Sequence, residues 1–333
     1  MKKVRVFING FGRIGRIALR IMLADKSIEV VGINDIYDFK QMAMLFQYDS
    51  VYGAYHDRVL LKDKTLHIDT KRIPLFSVQD PQDLILQDVD VLLQCTGIFL
   101  DKKSNSHYLH HGVKKVLISA PAKAEIPTYV MDINHHNYQG EPILSNSSCS
   151  ANAILPIMTI MQELAGIQNA SMSMFHAYTA YQKLLDVKHY SKDIRRARSA
   201  TQNIEPLMSS AARECEKFFP HLKDKLYAKS IRVPLPACTL YDISLKLEKK
   251  IDKAAVNKHF TERSHHQFSE IVSIAHDDAV STDFIGNRYG AVMDLALTQV
   301  IDGDLLKLFA WQDNEYGYAY QLVRMLKYIA DFE

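Results

Sequence analysis

The stretch Ile8-Asn9-Gly10-Phe11-Gly12-Arg13-Ile14-Gly15-Arg16 decides the fold of this 333-residue chain. Before it, Val4 to Asn9 is a short apolar run that predicts a strand. After it, Ile14, Ile17, Ala18, Ile21 and Met22 recur at three- and four-residue spacing and predict an amphipathic helix from Arg13 to Ala24. Ile28 to Ile33 predicts the next strand, which ends in Asn34-Asp35. Strand, glycine turn, helix and strand make a βαβ unit with parallel strands and a right-handed crossover. In such a unit the first glycine allows the tight turn, the second lets backbone approach a pyrophosphate, and the third permits close helix–strand packing. The helix N-terminus then offers unpaired N–H groups and the positive end of its dipole. Asp35 follows Gly15 by twenty residues, where a carboxylate accepts hydrogen bonds from an adenosine ribose. A carboxylate there repels a 2′-phosphate, so the expected cofactor is NAD in preference to NADP.

Working outward, Val89 to Cys95 reads as a strand buried on both faces, Lys102 to His111 as a helix and Val116 to Ser119 as another strand. The second half changes character. Cys149 to Ala165 is helical in pattern, with Pro156 expected to kink the helix or mark a late start. Ala170 to Phe175 reads as a strand ending near His176. Cys238 to Leu247 and Ala291 to Ala310 alternate, the second broken by the hairpin signal Asp302-Gly303. Glu315 to Ile329 predicts a closing amphipathic helix. The fold class is therefore α/β: a Rossmann dinucleotide-binding domain plus an α+β domain on a mixed or antiparallel sheet. Tyr178 to Glu205 is the longest stretch without regular pattern, and loops of that length are usually functional.

Lys and Arg total 40 against 38 for Asp and Glu, a formal charge of +2. So balanced a chain has no general attraction for nucleic acid or an anionic membrane. No apolar run reaches the ~20 residues of a membrane span, and the N-terminus lacks a signal-peptide core. The four cysteines lie far apart with no C-x-x-C pair, which argues against a disulfide scaffold or zinc site and for a cytoplasmic setting. The pairs His110-His111, His135-His136 and His265-His266 have no accompanying ligand set, so no metal is expected.

Cys149 stands in Ser145-Asn146-Ser147-Ser148-Cys149-Ser150-Ala151-Asn152, a small polar cluster before a helical pattern. A helix N-terminus stabilises a thiolate and lowers its pKa from the free value of ~8.5. A nucleophilic thiol also needs a base, and His176 is the candidate. Cys95, Cys215 and Cys238 read as small buried hydrophobes. Between Lys183 and Arg198 six Lys or Arg face two Asp, a local field that suits anionic ligands or a subunit contact.

Together with the glycine turn, Ser-Asn-Ser-Ser-Cys at 145–149, His176-Ala177-Tyr178-Thr179 and Trp311-Gln312-Asp313-Asn314-Glu315 resemble the glyceraldehyde-3-phosphate dehydrogenase family. So do Tyr48-Asp49-Ser50-Val51-Tyr52-Gly53, Ser119-Ala120-Pro121-Ala122-Lys123 and Arg195-Arg196-Ala197-Arg198. The resemblance implies a Rossmann domain over 1–148 completed by the C-terminal helix 315–333, a catalytic domain over 149–312, and a homotetramer. It implies Cys149 as nucleophile and His176 as base, with a thioester released by inorganic phosphate. The cofactor residues are then Gly10, Phe11, Gly12, Arg13, Ile14 and Asp35, with Thr96, Phe99, Ser119 and Asn314 orienting the nicotinamide. Thr179 and Arg232, with Arg195 or Arg198, are implied to hold the substrate phosphate, and Ser148, Ser150 and Ser209 to line the site of the attacking phosphate. Departures from the family pattern are Ser150-Ala151-Asn152-Ala153 after the nucleophile and Pro206-Leu207-Met208-Ser209-Ser210, where a glycine is replaced by Ser210. Lys188 or Tyr190 stands where NAD-type relatives often carry a proline, which implies that NADP is also accepted. The alternatives are an erythrose-4-phosphate dehydrogenase or a catalytically weakened cofactor-binding paralogue that binds protein or nucleic acid.

Overall fold

Strand β1 (Val4–Asn9) is buried over its last four residues and lies near the centre of an eight-stranded sheet. The structure, a computed structural model, describes residues 3–332 and divides into two compact units. One takes the chain up to Ser148 and again from Ala319; the other is Cys149–Tyr318.

In the first unit, α1 (Arg13–Ala24) buries Ile17, Ala18, Leu19 and Met22 and returns the chain to β2 (Ile28–Asn34), parallel to β1. Helix α2 (Phe39–Gln47) starts at Asp38, whose side chain accepts from Lys40 N and Gln41 N. Two hairpins absent from the sequence reading follow: β3 (Val59–Lys62), β4 (Thr65–Ile68) and β5 (Lys71–Phe76). The four-residue strands β3 and β4 are too short to impose a clear period, and β5 carries Pro74. Next come β6 (Val89–Gln94), α3 (Lys102–His110), β7 (Val113–Ile118) and β8 (Ile143–Ser145). The sheet order is β3-β4-β5-β2-β1-β6-β7-β8, parallel from β5 onward. The order reverses between β1 and β6, and the carboxyl ends beside such a point form the crevice where open α/β sheets bind ligands.

The second unit begins with α4 (Cys149–Ala165). The helix starts at Cys149, not after Pro156. Proline has no N–H to offer the carbonyl of Asn152. That carbonyl instead faces Gly290, where an added Cβ would stand 2.6 Å from it. Strand β9 runs Ile167–Ala177, two residues beyond the expected end, so His176 lies inside it. After the irregular 178–204 segment, which holds one short turn at Ile194–Ala197, come β10 (Glu205–Met208), α5 (Ala211–Phe218), β11 (Leu226–Val233) and β12 (Thr239–Leu247). Then follow α6 (Lys253–His265), β13 (Val272–Ile274), β14 (Ala291–Met293), β15 (Gln299–Ile301) and β16 (Leu305–Gln312). The stretch 291–310, expected as one hairpin, is three strands, with Asp302-Gly303 turning β15 into β16 at positive φ. The sheet, in the order β10-β11-β9-β12-β16-β14-β13, is mixed: β9 is parallel to β11 and antiparallel to β12. Strand β12 alternates strictly, burying Thr239, Tyr241, Ile243, Leu245 and Leu247 on one face. Helix α7 (Tyr316–Ala330) closes the chain; Arg324 and Lys327 pair with Asp132 and Asp25 of the first unit's own residues.

Candidate active site

In the first unit the glycine turn sits where β1 ends. Gly10 has φ +96°, and a Cβ there would stand 2.6 Å from the Cys95 carbonyl carbon and the Thr96 nitrogen. A Cβ on Gly15 would lie 2.2 Å from Gly10 O, so helix and strand pack directly through it. Gly12 is different. It is exposed, has ordinary φ, and a Cβ on it would meet nothing within 4 Å. The protein's own packing therefore gives no reason for glycine at 12, whereas a ligand approaching the backbone there does. Gly12 is also the N-cap of α1 and supplies no side-chain hydrogen bond, so the first helical N–H groups stay open to an anion.

Asp35 follows β2. One carboxylate oxygen accepts from Phe11 N at 2.6 Å and the other from Tyr37 N at 3.2 Å. It thus fixes the glycine turn as well as offering remaining lone pairs toward a ribose, a double duty not visible in the spacing. Phe11 itself is a core side chain, 5.9 Å from the Phe46 ring, so only its backbone serves the turn. Arg13 pairs with Asp49 and lies over the Tyr52 ring at 5.4 Å, and Ile14 is half-buried. Buried amides tie the strand ends together: Asn34 donates to Asn9 Oδ1 at 2.8 Å, and Asn9 donates to Gln94 Oε1 at 3.1 Å. Thr96 donates to the same Gln94 oxygen at 2.9 Å, and Ser119 N donates to Gln94 O at 3.0 Å. Thr96 and Ser119 therefore stand together at the carboxyl ends of β6 and β7, with Phe99 half-buried on the loop after β6. The residues present fit a dinucleotide.

In the second unit the buried sheet face is mainly apolar until its last row, with Ser230 of β11 as an exception. Met174, Tyr241 and Ala310 stand opposite one another, and the next row outward is polar. There Glu205 faces Arg232, Arg232 faces His176, His176 faces Thr239 and Thr239 faces Gln312, across five strands. Cys149, at the start of α4, meets this row. Its Sγ is 3.7 Å from His176 Nε2, and Gln312 Nε2 donates to its carbonyl oxygen at 3.0 Å. Tyr241 donates to Gln312 Oε1 at 2.7 Å and so holds that amide in place.

His176 Nδ1 is 2.8 Å from Ala177 O; with the proton on Nδ1 that carbonyl accepts it, and the Nε2 lone pair then faces the thiol. Arg232 Nη1 also donates to Ala177 O at 2.8 Å and abuts the imidazole. Burial, and then the Arg232 charge, push the His176 imidazole down to about 3. Burial pushes the Cys149 thiol up, against the pull of Arg232 and of the Ser150 hydrogen bonds. The expected lowering by the helix N-terminus does not prevail, because the thiolate loses more on leaving water than these partners return. Both shifts favour a neutral thiol beside a neutral imidazole. Burial also raises Cys95 and Cys215 to about 12 and Cys238 further, in keeping with their reading as packing residues.

The anion residues are dispersed more than the sequence suggests. Arg232 is half-buried, and its Nε is buried with no partner. Thr179 is braced by Gln182, whose Oε1 accepts from both its N–H and its hydroxyl at 2.9 Å. Arg195 and Arg198, by contrast, are exposed and paired with Asp193 and Asp186. The arginine of this run that acts electrostatically on Arg232 is Arg196. Ser150 is buried beside Cys149 and Ser148 half-buried before it; Ser209 accepts from Ala211 N at 3.1 Å at the start of α5. Asn314 is 4 % exposed, and its side-chain oxygen has no partner. Gln312, Tyr241, Gln182, Arg196 and Glu205 were missed. Only cross-strand register brings most of them to the site, and no local spacing signals it.

Comparison with known proteins agrees with this geometry. Residues 4–102 match the sequence model of the glyceraldehyde 3-phosphate dehydrogenase NAD binding domain, and residues 148–314 match that of its C-terminal domain. The chain is 37% identical to glyceraldehyde-3-phosphate dehydrogenase of Clostridium pasteurianum over 98% of both chains, and equally to that of Geobacillus stearothermophilus. It is 37% identical to the chloroplastic glyceraldehyde-3-phosphate dehydrogenase A of Chlamydomonas reinhardtii, over 99% of this chain and 89% of that protein.

Proposed function

The chain belongs to the glyceraldehyde-3-phosphate dehydrogenase family, and from that premise we propose that it oxidises glyceraldehyde 3-phosphate and phosphorylates the product to 1,3-bisphosphoglycerate. The observation that carries this reading is Cys149 Sγ at 3.7 Å from His176 Nε2, on a polar row that includes Arg232. His176 takes the thiol proton as sulfur adds to the aldehyde carbon, then returns it to the new hydroxyl of the hemithioacetal. The base takes that hydroxyl proton as hydride leaves carbon, and a thioester on Cys149 results. When bound, NAD supplies the hydride acceptor. Inorganic phosphate then attacks the thioester carbonyl and expels the Cys149 thiolate. Covalent capture divides one hard oxidation into two easier steps.

Arg232 and Thr179 hold the substrate phosphate, since a guanidinium suits phosphate bidentately. Arg195 or Arg198 joins them only by leaving its present carboxylate partner. Ser148, Ser150 and Ser209 line the attacking phosphate's site. Gly10 to Ile14 with Asp35 hold NAD, Thr96, Phe99 and Ser119 bound its nicotinamide end, and the unpaired oxygen of Asn314 receives the carboxamide. NADP is accepted more weakly because Asp35 disfavours a second phosphate. The protein works as a cytoplasmic homotetramer without a specific nucleic-acid or membrane partner. Exposed Leu184, Leu185, Tyr190 and Ile194 support a covered subunit face, and among the described residues no helix is long and apolar enough to cross a membrane.

The test is NAD reduction by glyceraldehyde 3-phosphate with and without inorganic phosphate. Sustained phosphate-dependent turnover is expected. One stalled turnover per site despite phosphate would locate a failure of deacylation at the Ser209-Ser210 departure. No turnover, with turnover of erythrose 4-phosphate instead, would overturn the substrate assignment.

A further inference from the structure

The polar row holds a charged member that this chemistry does not use. Glu205, the first residue of β10, stands opposite Arg232 in the ladder and is 2 % exposed. Neither carboxylate oxygen has a hydrogen-bond partner, and Gln182 Nε2 and Arg232 Nε are buried without one as well. The groups that act on Glu205 come from three elements: Arg232 from β11, Arg196 and Asp193 from the turn before β10, and Gln182 from the loop after β9. Gln182 acts on the carboxylate without meeting hydrogen-bond geometry. Arg195 Nη1 donates to Pro206 O at 3.0 Å and pins that turn against β10. Arg232 in turn faces His176 and the Cys149 sulfur. Burial pushes the Glu205 carboxyl up, and the two arginines only partly offset it.

A buried carboxylate without hydrogen bonds is costly, and an apolar side chain of the same size would be the cheaper occupant. What Glu205 supplies is charge. Arg196 and Arg232 repel each other, and each also lies near the carboxylate. We propose that Glu205 is a specificity-determining counter-charge of the substrate-phosphoryl pocket: its carboxylate balances Arg232 and Arg196 between substrates and opposes the phosphoryl group that enters. Affinity for phosphorylated substrate is thereby held below what the arginines alone would give, which favours release of the doubly phosphorylated product. Neutralising Glu205 strengthens phosphoryl binding. This rests on the reading of Arg232 and Thr179 as the phosphate holders.

The experiment is calorimetric binding of glycerol 3-phosphate, an unreactive phosphorylated triose analogue, at pH 5.5 and 8.5. It compares Glu205, Glu205→Gln and Glu205→Leu, all in a Cys149→Ser background so that the thiol adds no charge of its own. At pH 8.5 both variants should bind about tenfold more tightly, the scale of one partly screened charge–charge interaction. The gap should narrow at pH 5.5, as the native carboxyl begins to take up a proton. The ligand's second ionisation narrows the gap in the same direction, because the repulsion scales with phosphoryl charge, so the comparison at pH 8.5 decides. With Cys149 intact, the Gln variant should lower KM for glyceraldehyde 3-phosphate more than KM for unphosphorylated glyceraldehyde, which a merely structural role would not do.

Equal or weaker binding in a folded variant overturns the proposal. The Leu variant removes an unpaired buried polar group and keeps the test open should the amide not be tolerated. Sustained NAD reduction without the affinity difference would sink the counter-charge alone. The affinity difference without any NAD reduction would sink the dehydrogenase reading alone. No binding to any of the three proteins overturns the counter-charge together with the pocket it rests on.

Discussion

The two units build their sites by opposite means. The first draws its glycine turn from Gly10 to Gly15, one continuous stretch, which the Cys95–Thr96 backbone and the Asp35 carboxylate hold in place. The second draws Glu205, Arg232, His176, Thr239 and Gln312 from five strands and lays them in a row only through register. A site drawn from one stretch keeps its residues adjacent whatever the register of the strands around it. A register-built site depends on the apolar rows beneath it, because a one-residue slip of any strand turns its polar member to the other face.

The comparison predicts graded outcomes. In the second unit Cys149→Ser should lower turnover at least about 10⁴-fold, because no other group replaces the nucleophile. His176→Gln should cost about 10²–10⁴-fold, the usual worth of a positioned base, while leaving NAD affinity unmoved. Fluorescence titration with NAD checks the second clause; a parallel loss of NAD binding would mean that the site had been disordered and not merely deprived of its base.

In the first unit Gly10→Ala and Gly12→Ala should separate stability from binding. A Cβ at Gly10 collides with the Cys95–Thr96 backbone at positive φ, so Gly10→Ala should cost about 1–3 kcal/mol in urea unfolding. Gly12→Ala has open space and should change stability by no more than about 0.5 kcal/mol. It should nonetheless weaken NAD binding about tenfold or more, through the pyrophosphate approach that its glycine permits. Equal destabilisation by both would break the distinction.

The pH behaviour of the thiol is a smaller effect. Burial holds the Cys149 thiol up and the His176 imidazole down, and both shifts disfavour a thiolate–imidazolium pair. Alkylation of Cys149 by iodoacetamide should therefore climb from pH 7 to 9, by up to about tenfold per unit. A plateau already reached at pH 7 would show that the ion pair is formed.

The smallest effect lies in acid stability. His176 has its folded value lowered to about 3, below an ordinary value of 6.5, so the unfolded chain binds the extra proton between them. Its contribution to stability is full above pH 6.5 and is lost as pH falls from there toward 3. Between pH 6.5 and 5 the melting temperature of the native protein should fall more steeply than that of His176→Gln. Matching slopes would mean that the imidazole stays solvated enough to charge in place.

The sequence by itself determined the βαβ unit, the glycine turn, Asp35, the strand-like alternation of 239–247 and the nucleophile's place at a helix start. Each is a matter of neighbours within a few residues, or of a period of 2 or 3.6 that burial of one face imposes. It did not reveal the hairpins at 59–76, two of whose three strands are too short to show a period, nor how α4 passes Pro156, where the Asn152 carbonyl faces Gly290 far along the chain. Tertiary structure alone decided that Arg196, and not an exposed neighbour, acts on Arg232, that Gln312 and Tyr241 anchor the Cys149 backbone, and that burial pushes the Cys149 thiol up. It also placed Glu205 against Arg232. Register and desolvation are properties of strands brought together from distant parts of the chain, and neither is written in the spacing of any one of them.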